Sequence, residues 1–245
     1  MNQNIDIKND ATEFKNLFAK TNPGPFVLAS LLSSYPDLEF SEGVQFFLKD
    51  EQVQIPQVLR DLISKAIANE GSLNDLRSEY IAIFDHAKSL NPLYETEYGR
   101  ERAMFKANEL ADIAGFYHAF GFELDQENGT REMPDHISVE LEFYSLLMMK
   151  HLFLQEEDDF NGCEIVFDGM KKFMDSHLGR FVSAIIDRPG VVESEFYYNV
   201  FVWIKSIVEA ECGRLQISPD KATWFASQAE GEKMCCGDSV PVQQR

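Results

Sequence analysis

Apolar residues recur at steps of three and four along most of this chain, which is the spacing of amphipathic helices. Alternation of apolar and polar residues, the signature of strands, is almost absent, and no Asn-Gly or Asp-Gly turn joins two β-rich runs. The pattern therefore predicts an all-α protein with a single compact globular domain of about ten helices. The predicted helices cover about residues 10–22, 25–33, 41–49, 55–70, 72–84, 100–120, 134–155, 159–177, 179–187 and 194–213, and a last short one begins at Ser218.

Helix boundaries follow from residues that cap or interrupt helices. Gly71 is predicted to end the helix over 55–70, and Ser72 is predicted to cap the N-terminus of the next one. Gly121 follows the long helix predicted over 100–120. Pro134 suits the first turn of the next helix, where its missing N–H would have no partner. No linker rich in Gly, Ser and Pro divides the chain, so we expect one helical domain over residues 1–228 and a flexible polar tail over 229–245.

Acidic residues far outnumber basic ones. The chain of 245 residues has 22 Lys and Arg against 41 Asp and Glu, a formal net charge of −19. This excess disfavours nucleic acid as a partner and favours basic ligands. The chain also has 20 Phe, 8 Tyr and 2 Trp, which are too many aromatic residues for a disordered acidic chain.

Targeting and cysteine content indicate a cytoplasmic protein. The N-terminus lacks a basic region followed by an apolar stretch, and no apolar run approaches the roughly 18 residues of a membrane span. Four cysteines in a chain of this length do not form a disulfide framework, and the Cys235–Cys236 pair fits no metal motif.

Recognisable enzyme motifs are missing. The sequence has no phosphate-binding glycine loop, no Gly-x-Ser-x-Gly and no His-Glu-x-x-His, and none of its five histidines follows a Glu at three residues. We therefore assign no catalytic residue, no metal and no cofactor, and expect a binding protein rather than an enzyme.

Two segments carry more chemistry than their structural setting requires. The first, residues 91–99, is a predicted loop with Tyr94, Glu95, Glu97 and Tyr98. The tyrosines could simply fill the core, and the acids could stabilise the N-terminus of the following helix. Alternatively, the loop binds a ligand.

The second segment opens the helix predicted from Pro134. Asp135 would cap its first turn, and His136, Glu140 and Tyr144 recur every four residues on one face. A structural interpretation makes Asp135 a cap and His136–Glu140 a surface pair. A functional one makes the segment part of a binding site.

Together, these segments resemble the signature of the TorD/DmsD/NarJ family of redox-enzyme maturation chaperones over about residues 25–210. The most specific element is the Glu-x-Pro-Asp-His helix start. Phe181 departs from the pattern, since tryptophan is common there. The matching residues are Tyr80 and Phe84 of a helix end, Pro92, Tyr94, Glu95, Thr96 and Tyr98 of the loop, Glu132, Pro134, Asp135, His136, Glu140, Leu141, Glu142 and Phe143 of the helix start, and Phe173, His177, Leu178 and Phe181 further on.

The resemblance implies a cytoplasmic chaperone that holds a molybdoenzyme precursor during molybdenum cofactor insertion. It also implies binding of the precursor's twin-arginine leader, which delays export through the Tat system. Carboxylates suit the leader's guanidinium groups, and an apolar groove suits its apolar stretch. The residues expected to bind the peptide are Tyr94, Glu95, Glu97, Tyr98, Pro134, Asp135, His136, Glu140 and His177.

Two alternatives stay open. The protein could assemble a nitrate-reductase-type catalytic subunit without export proofreading. More remotely, it could be a helical enzyme with His136 as general base. The sequence leaves open a monomer or a helix-swapped dimer, and it does not name the client enzyme.

Overall fold

The computed structural model describes residues 21–37, 39–99, 102–123 and 132–224, and within these it is all-helical with no strand. The predicted fold class is confirmed. The α-helices are α1 (Gly24–Ser33), α2 (Phe40–Leu48), α3 (Gln57–Ala66), α4 (Glu70–Tyr80), α5 (Arg102–Ala119), α6 (Ile137–Glu156), α7 (Phe160–Phe173), α8 (Gly179–Ile186), α9 (Pro189–Glu193) and α10 (Glu195–Leu215). One π-helical segment (Ile81–His86) extends α4, and a second (Met174–Leu178) joins α7 to α8. A 3₁₀ turn spans Glu95–Glu97.

Helix α6 lies at the centre of the domain. It packs against α1 on one side and α7 on the other, while α10 packs against α1, α3 and α8. Apolar residues occur all round the first half of α6, so most of its side chains there are buried. Tyr144 donates a hydrogen bond to Glu211 (2.5 Å), which also receives two from Arg214 (2.5 and 2.7 Å). This buried group joins α6 to α10.

Several predicted helix ends differ from the observed ones. Gly71 lies inside α4 rather than stopping α3, because Asn69 is the N-cap and its Oδ1 accepts from the Ser72 N–H (3.0 Å). Asn is as good a cap as Ser when the backbone before the helix is extended. The helix predicted over 41–49 begins at Phe40, and Asp37 Oδ1 accepts from the first backbone N–H of this helix (3.0 Å).

The last predicted helix, from Ser218, is wrong within the described residues. Gln216 ends α10 in the left-handed region (φ 56°), and residues 216–224 are not helical. Instead, Ala222 donates a backbone hydrogen bond to Arg180 (3.0 Å), which ties this segment to α8. The predicted helix over 10–22 lies mostly outside the described residues, and the tail over 229–245 lies entirely outside them.

None of the described helices is both long enough and apolar enough to cross a membrane.

Candidate functional site

The two segments singled out in the sequence lie side by side. The Glu95 N–H donates to the Asp135 carbonyl (2.8 Å), and the Ile137 N–H donates to the Leu93 carbonyl (2.9 Å). Tyr94 and His136 therefore face each other across a short antiparallel bridge. Main-chain pairing thus makes one unit of residues 92–99 and 132–137, which we call the motif unit.

The Asp135 side chain connects the two segments of the motif unit, residues 92–99 and 132–137, by hydrogen bonds. Its Oδ2 accepts from the Thr96 hydroxyl (2.6 Å) and, more weakly, from the Thr96 N–H (3.3 Å), and both residues are buried. The sequence predicts that Asp135 caps α6, but Asp135 does not do so. Its carboxylate satisfies donors of the neighbouring loop instead.

His136 is the N-cap of α6, which begins at Ile137 rather than near Pro134. The His136 Nδ1 accepts from the Ser138 N–H (3.2 Å) and lies 2.7 Å from the Ser138 hydroxyl. Burial lowers the pKa of His136 to about 4, so the ring is neutral and able to accept. Pro134 lies in the turn before the helix, where its carbonyl accepts from the Tyr117 hydroxyl (2.6 Å).

The tyrosines of the loop have different environments. Tyr98 is buried, and its hydroxyl donates to the Pro92 carbonyl (2.6 Å), which closes the loop on itself. Tyr94 is half-buried, and its hydroxyl donates to Glu132 (2.7 Å). Its ring contacts the edge of His136 and carries Lys88 above it, 4.2 Å from the ring centre.

Behind the loop, the buried Glu95 belongs to a cluster of ionisable side chains that reaches the surface at Asp112. Its Oε2 lies 3.0 Å from His177 Nδ1, and the opposite ring nitrogen, Nε2, lies 3.2 Å from Asp112 Oδ2 of α5. Arg180 approaches the other oxygen of Glu95 at 3.7 Å. His177 thus bridges the loop and α5.

Glu140 adds a further carboxyl group to this cluster. It is fully buried in the first turn of α6, and burial raises the pKa of Glu140 well above its usual value. The negative charges of Glu95 and Asp135 raise it further. Burial and these neighbouring charges therefore favour the neutral form of Glu140, because an additional charge here would be poorly solvated.

Comparisons with known proteins place this unit in a family. The family model described as nitrate reductase delta subunit matches residues 48–187, which contain the whole motif unit, Glu140 and His177. The chain belongs to the nitrate reductase delta subunit family. This confirms the relationship to the redox-enzyme maturation chaperones that the motifs predicted.

Two curated relatives agree with this family. The chain is 27% identical over 164 residues to the chlorate reductase assembly chaperone protein of Ideonella dechloratans, covering 66% of this chain and 79% of the relative. It is 28% identical over 160 residues to the selenate reductase assembly chaperone protein of Thauera selenatis, covering 64% and 76% respectively. Both are named as chaperones rather than enzymes, which agrees with the expected non-enzymatic role.

In this family member, most residues predicted to bind a peptide are inaccessible. Six of the nine are at most 3% exposed, and Tyr94, Glu97 and Pro134 are the partly exposed ones. Glu97 pairs with Lys106 of α5 (2.6 Å). In this conformation a bound peptide could touch the partly exposed three, but not these buried residues: Glu95, Tyr98, Asp135, His136, Glu140 and His177.

The proposed surface pair of His136 and Glu140 is also absent, since both side chains are buried. The structure adds Thr96, Asp112 and Arg180 as partners that motif reasoning had not given a role. Arg180 follows His177 by three residues, a helical spacing that could have suggested a shared carboxylate partner. No group of three or more His, Cys, Asp or Glu in the described part of the chain is arranged to hold a metal ion.

Proposed function

We propose that this chain is the assembly chaperone of a molybdenum-containing reductase and that its partner is the catalytic subunit of that reductase. The observation that carries the proposal is the family match over residues 48–187, together with two relatives named as assembly chaperones of a chlorate and a selenate reductase. Chlorate and selenate are both oxyanions. The proposed client is accordingly an oxyanion reductase, held while its molybdenum cofactor is inserted.

Deleting the gene tests this proposal. We expect the reductase subunit still to be made but to contain little molybdenum, as measured by elemental analysis of the purified subunit, and the wild-type gene should restore the metal. A molybdenum content equal to that of the parent strain would contradict the proposed role in cofactor insertion.

We propose further that the chaperone binds the client's basic N-terminal leader and delays its export through the Tat system. The excess of 41 acidic over 22 basic residues supports this, because an acidic protein attracts a basic peptide. Such a role would be carried out in the cytoplasm, where the precursor is synthesised.

The alternative is a chaperone that acts on the mature part of the subunit without export proofreading. Calorimetry with the isolated leader, and separately with the subunit lacking its leader, distinguishes the two. Binding of the isolated leader supports export proofreading. Binding of the leaderless subunit without binding of the isolated leader supports the alternative.

A further inference from the structure

A cleft of about 380 Å³ opens between α1, the end of α5 and the start of α6. We call it the acidic cleft. Its apolar walls come from α1, from Phe122 after α5 and from Val139 of α6. The lining residues with apolar or aromatic side chains are Val27, Leu31, Tyr35, Phe122 and Val139.

Among the described residues, no Lys or Arg lines this cleft, whereas four carboxylates do: Asp37, Glu123, Glu132 and Glu142. Within the described part of the chain, neither Glu123 nor Glu142 forms an ion pair. Glu142 is exposed to the cleft, yet desolvation raises the pKa of its carboxyl group. A poorly solvated carboxylate gains more from an approaching cation than one in bulk water.

Two described cations, Arg77 and Lys88, are engaged with other groups. Arg77 donates to the carbonyls of Pro36 (2.7 Å) and Asp37 (3.0 Å) and pairs with Glu70 (2.9 Å). Lys88 lies over the ring of Tyr94, whose hydroxyl donates to Glu132. The cleft therefore combines apolar walls with a negative charge that these cations do not neutralise.

An apolar stripe continues from the cleft along the outer face of α6. Leu146, Met149 and Phe153 follow Glu142 at positions i+4, i+7 and i+11, which share one side of a helix. Met149 is 43% exposed and Phe153 is 60% exposed. At 1.5 Å per residue, the distance from Glu142 to Phe153 along the helix is about 16 Å.

We propose that the acidic cleft and the apolar stripe together bind a peptide in which arginines are followed by an apolar run. The guanidinium groups would bind Glu142 and Glu123, and the apolar run would cover Met149 and Phe153. This inference rests on the proposed function, which supplies such a segment in the client's leader. The proposed contact surface is therefore not the buried motif unit but an adjoining face that the described residues leave exposed.

The test uses a fluorescent synthetic peptide with two adjacent arginines followed by about ten leucine and alanine residues, titrated into the full chain by anisotropy. The variant Glu123→Gln/Glu142→Gln should weaken binding about tenfold, because it removes two accessible carboxylates. The matched control Glu51→Gln/Glu193→Gln removes the same charge from exposed positions elsewhere and should change the affinity less than about twofold.

The stripe has its own variant and control. Phe153→Gln should weaken binding several-fold, whereas Phe105→Gln, which alters an exposed phenylalanine on α5, should not. Because these side chains are exposed, urea unfolding should give the same stability for all four variants as for the wild type. A peptide with glutamines in place of the arginines should lose the sensitivity to Glu123 and Glu142.

Equal affinity of the cleft variant and its control would overturn this site while leaving leader binding in place. If the wild-type protein binds neither this peptide nor the client's leader, both the site and the leader-binding part of the proposed function fail. Preserved assembly of the reductase in that case would still support the chaperone role.

Discussion

The motif unit and the acidic cleft are adjacent and both contain several carboxylates, but these carboxylates differ in their partners. In the motif unit, Asp135 binds Thr96 and Glu95 binds His177, so these acids hold the chain to itself. In the cleft, Glu142 faces solvent with no ion-pair partner among the described residues. Glu132 belongs to both regions, since it accepts from Tyr94 and also lines the cleft. The comparison teaches that burial, rather than residue type, separates a structural acid from a binding one.

The largest expected effect is on the motif unit. Asp135→Ala would leave the buried hydroxyl and N–H of Thr96 without an acceptor, so we expect a loss of about 2–3 kcal/mol in the free energy of unfolding. Urea denaturation measures it. Asp135→Asn keeps an acceptor oxygen and should lose less. Unchanged stability of Asp135→Ala, combined with loss of peptide binding, would return Asp135 to a direct binding role.

Acid should weaken the same unit through His136. Because burial holds its pKa near 4 in the folded state, against 6.5 for the free side chain, the unfolded chain binds a proton more readily. The stability from neutral His136 is present above pH 6.5 and is lost as the pH falls toward 4, by about 2–3 kcal/mol.

Denaturation curves across this pH range measure the contribution of His136 when compared with those of His136→Asn. Asparagine retains an N-cap acceptor but does not titrate here, so its acid dependence should be smaller. An identical dependence in both proteins would assign the acid sensitivity to other groups.

Glu140 should show the opposite pH dependence and a smaller mutational effect. Its pKa is raised on folding, so its contribution is present below the unfolded pKa and is lost as the pH rises toward the folded one. Glu140→Gln mimics the neutral acid but does not titrate, so it should be at least as stable as the wild type at pH 7 and should flatten the profile above about pH 5.

The same denaturation series from about pH 5 to pH 8 tests this, and it reports on Glu140 and Glu95 as a pair because the two interact. A severe loss of stability in Glu140→Gln would mean that an ionised Glu140 is needed in the folded state.

The smallest expected effect concerns long-range attraction. Association of the arginine peptide should slow as salt rises, because charges beyond about 10 Å are screened at 0.1 M salt. Stopped-flow anisotropy should show a similar salt dependence for wild type and the Glu51→Gln/Glu193→Gln control. An association rate that does not depend on salt would contradict the idea that the net charge of −19 accelerates peptide binding.

Local signals in the sequence predicted the helices well where caps and periodicity agreed. Ser194 caps α10, and Gly121 follows α5 with a positive φ of 66°, as expected for residues that begin or end a helix. Prediction failed where two caps competed, as with Asn69 and Ser72. It also missed the short helix α9, which has too few turns for a periodic pattern.

The candidate site was predictable as two segments but not as a structure. Residue types and spacing singled out Tyr94, Glu95, Asp135 and His136, and they identified the family. Their mutual contacts depend on a bridge between Tyr94 and His136, which no local pattern encodes. The acidic cleft was missed because it brings together residues of α1, the end of α5 and α6 that are far apart in the chain.

The sequence by itself determined the helical class, the family and the excess of negative charge, because periodicity, motifs and composition are properties of the chain. The tertiary structure alone decided which acids are buried. Helix α6 is apolar round most of its first half, so its pattern does not predict which side Glu140 faces. Packing of α1, α5 and α7 around it placed Glu140 in the interior and left Glu142 open to solvent, since burial is a property of long-range contacts.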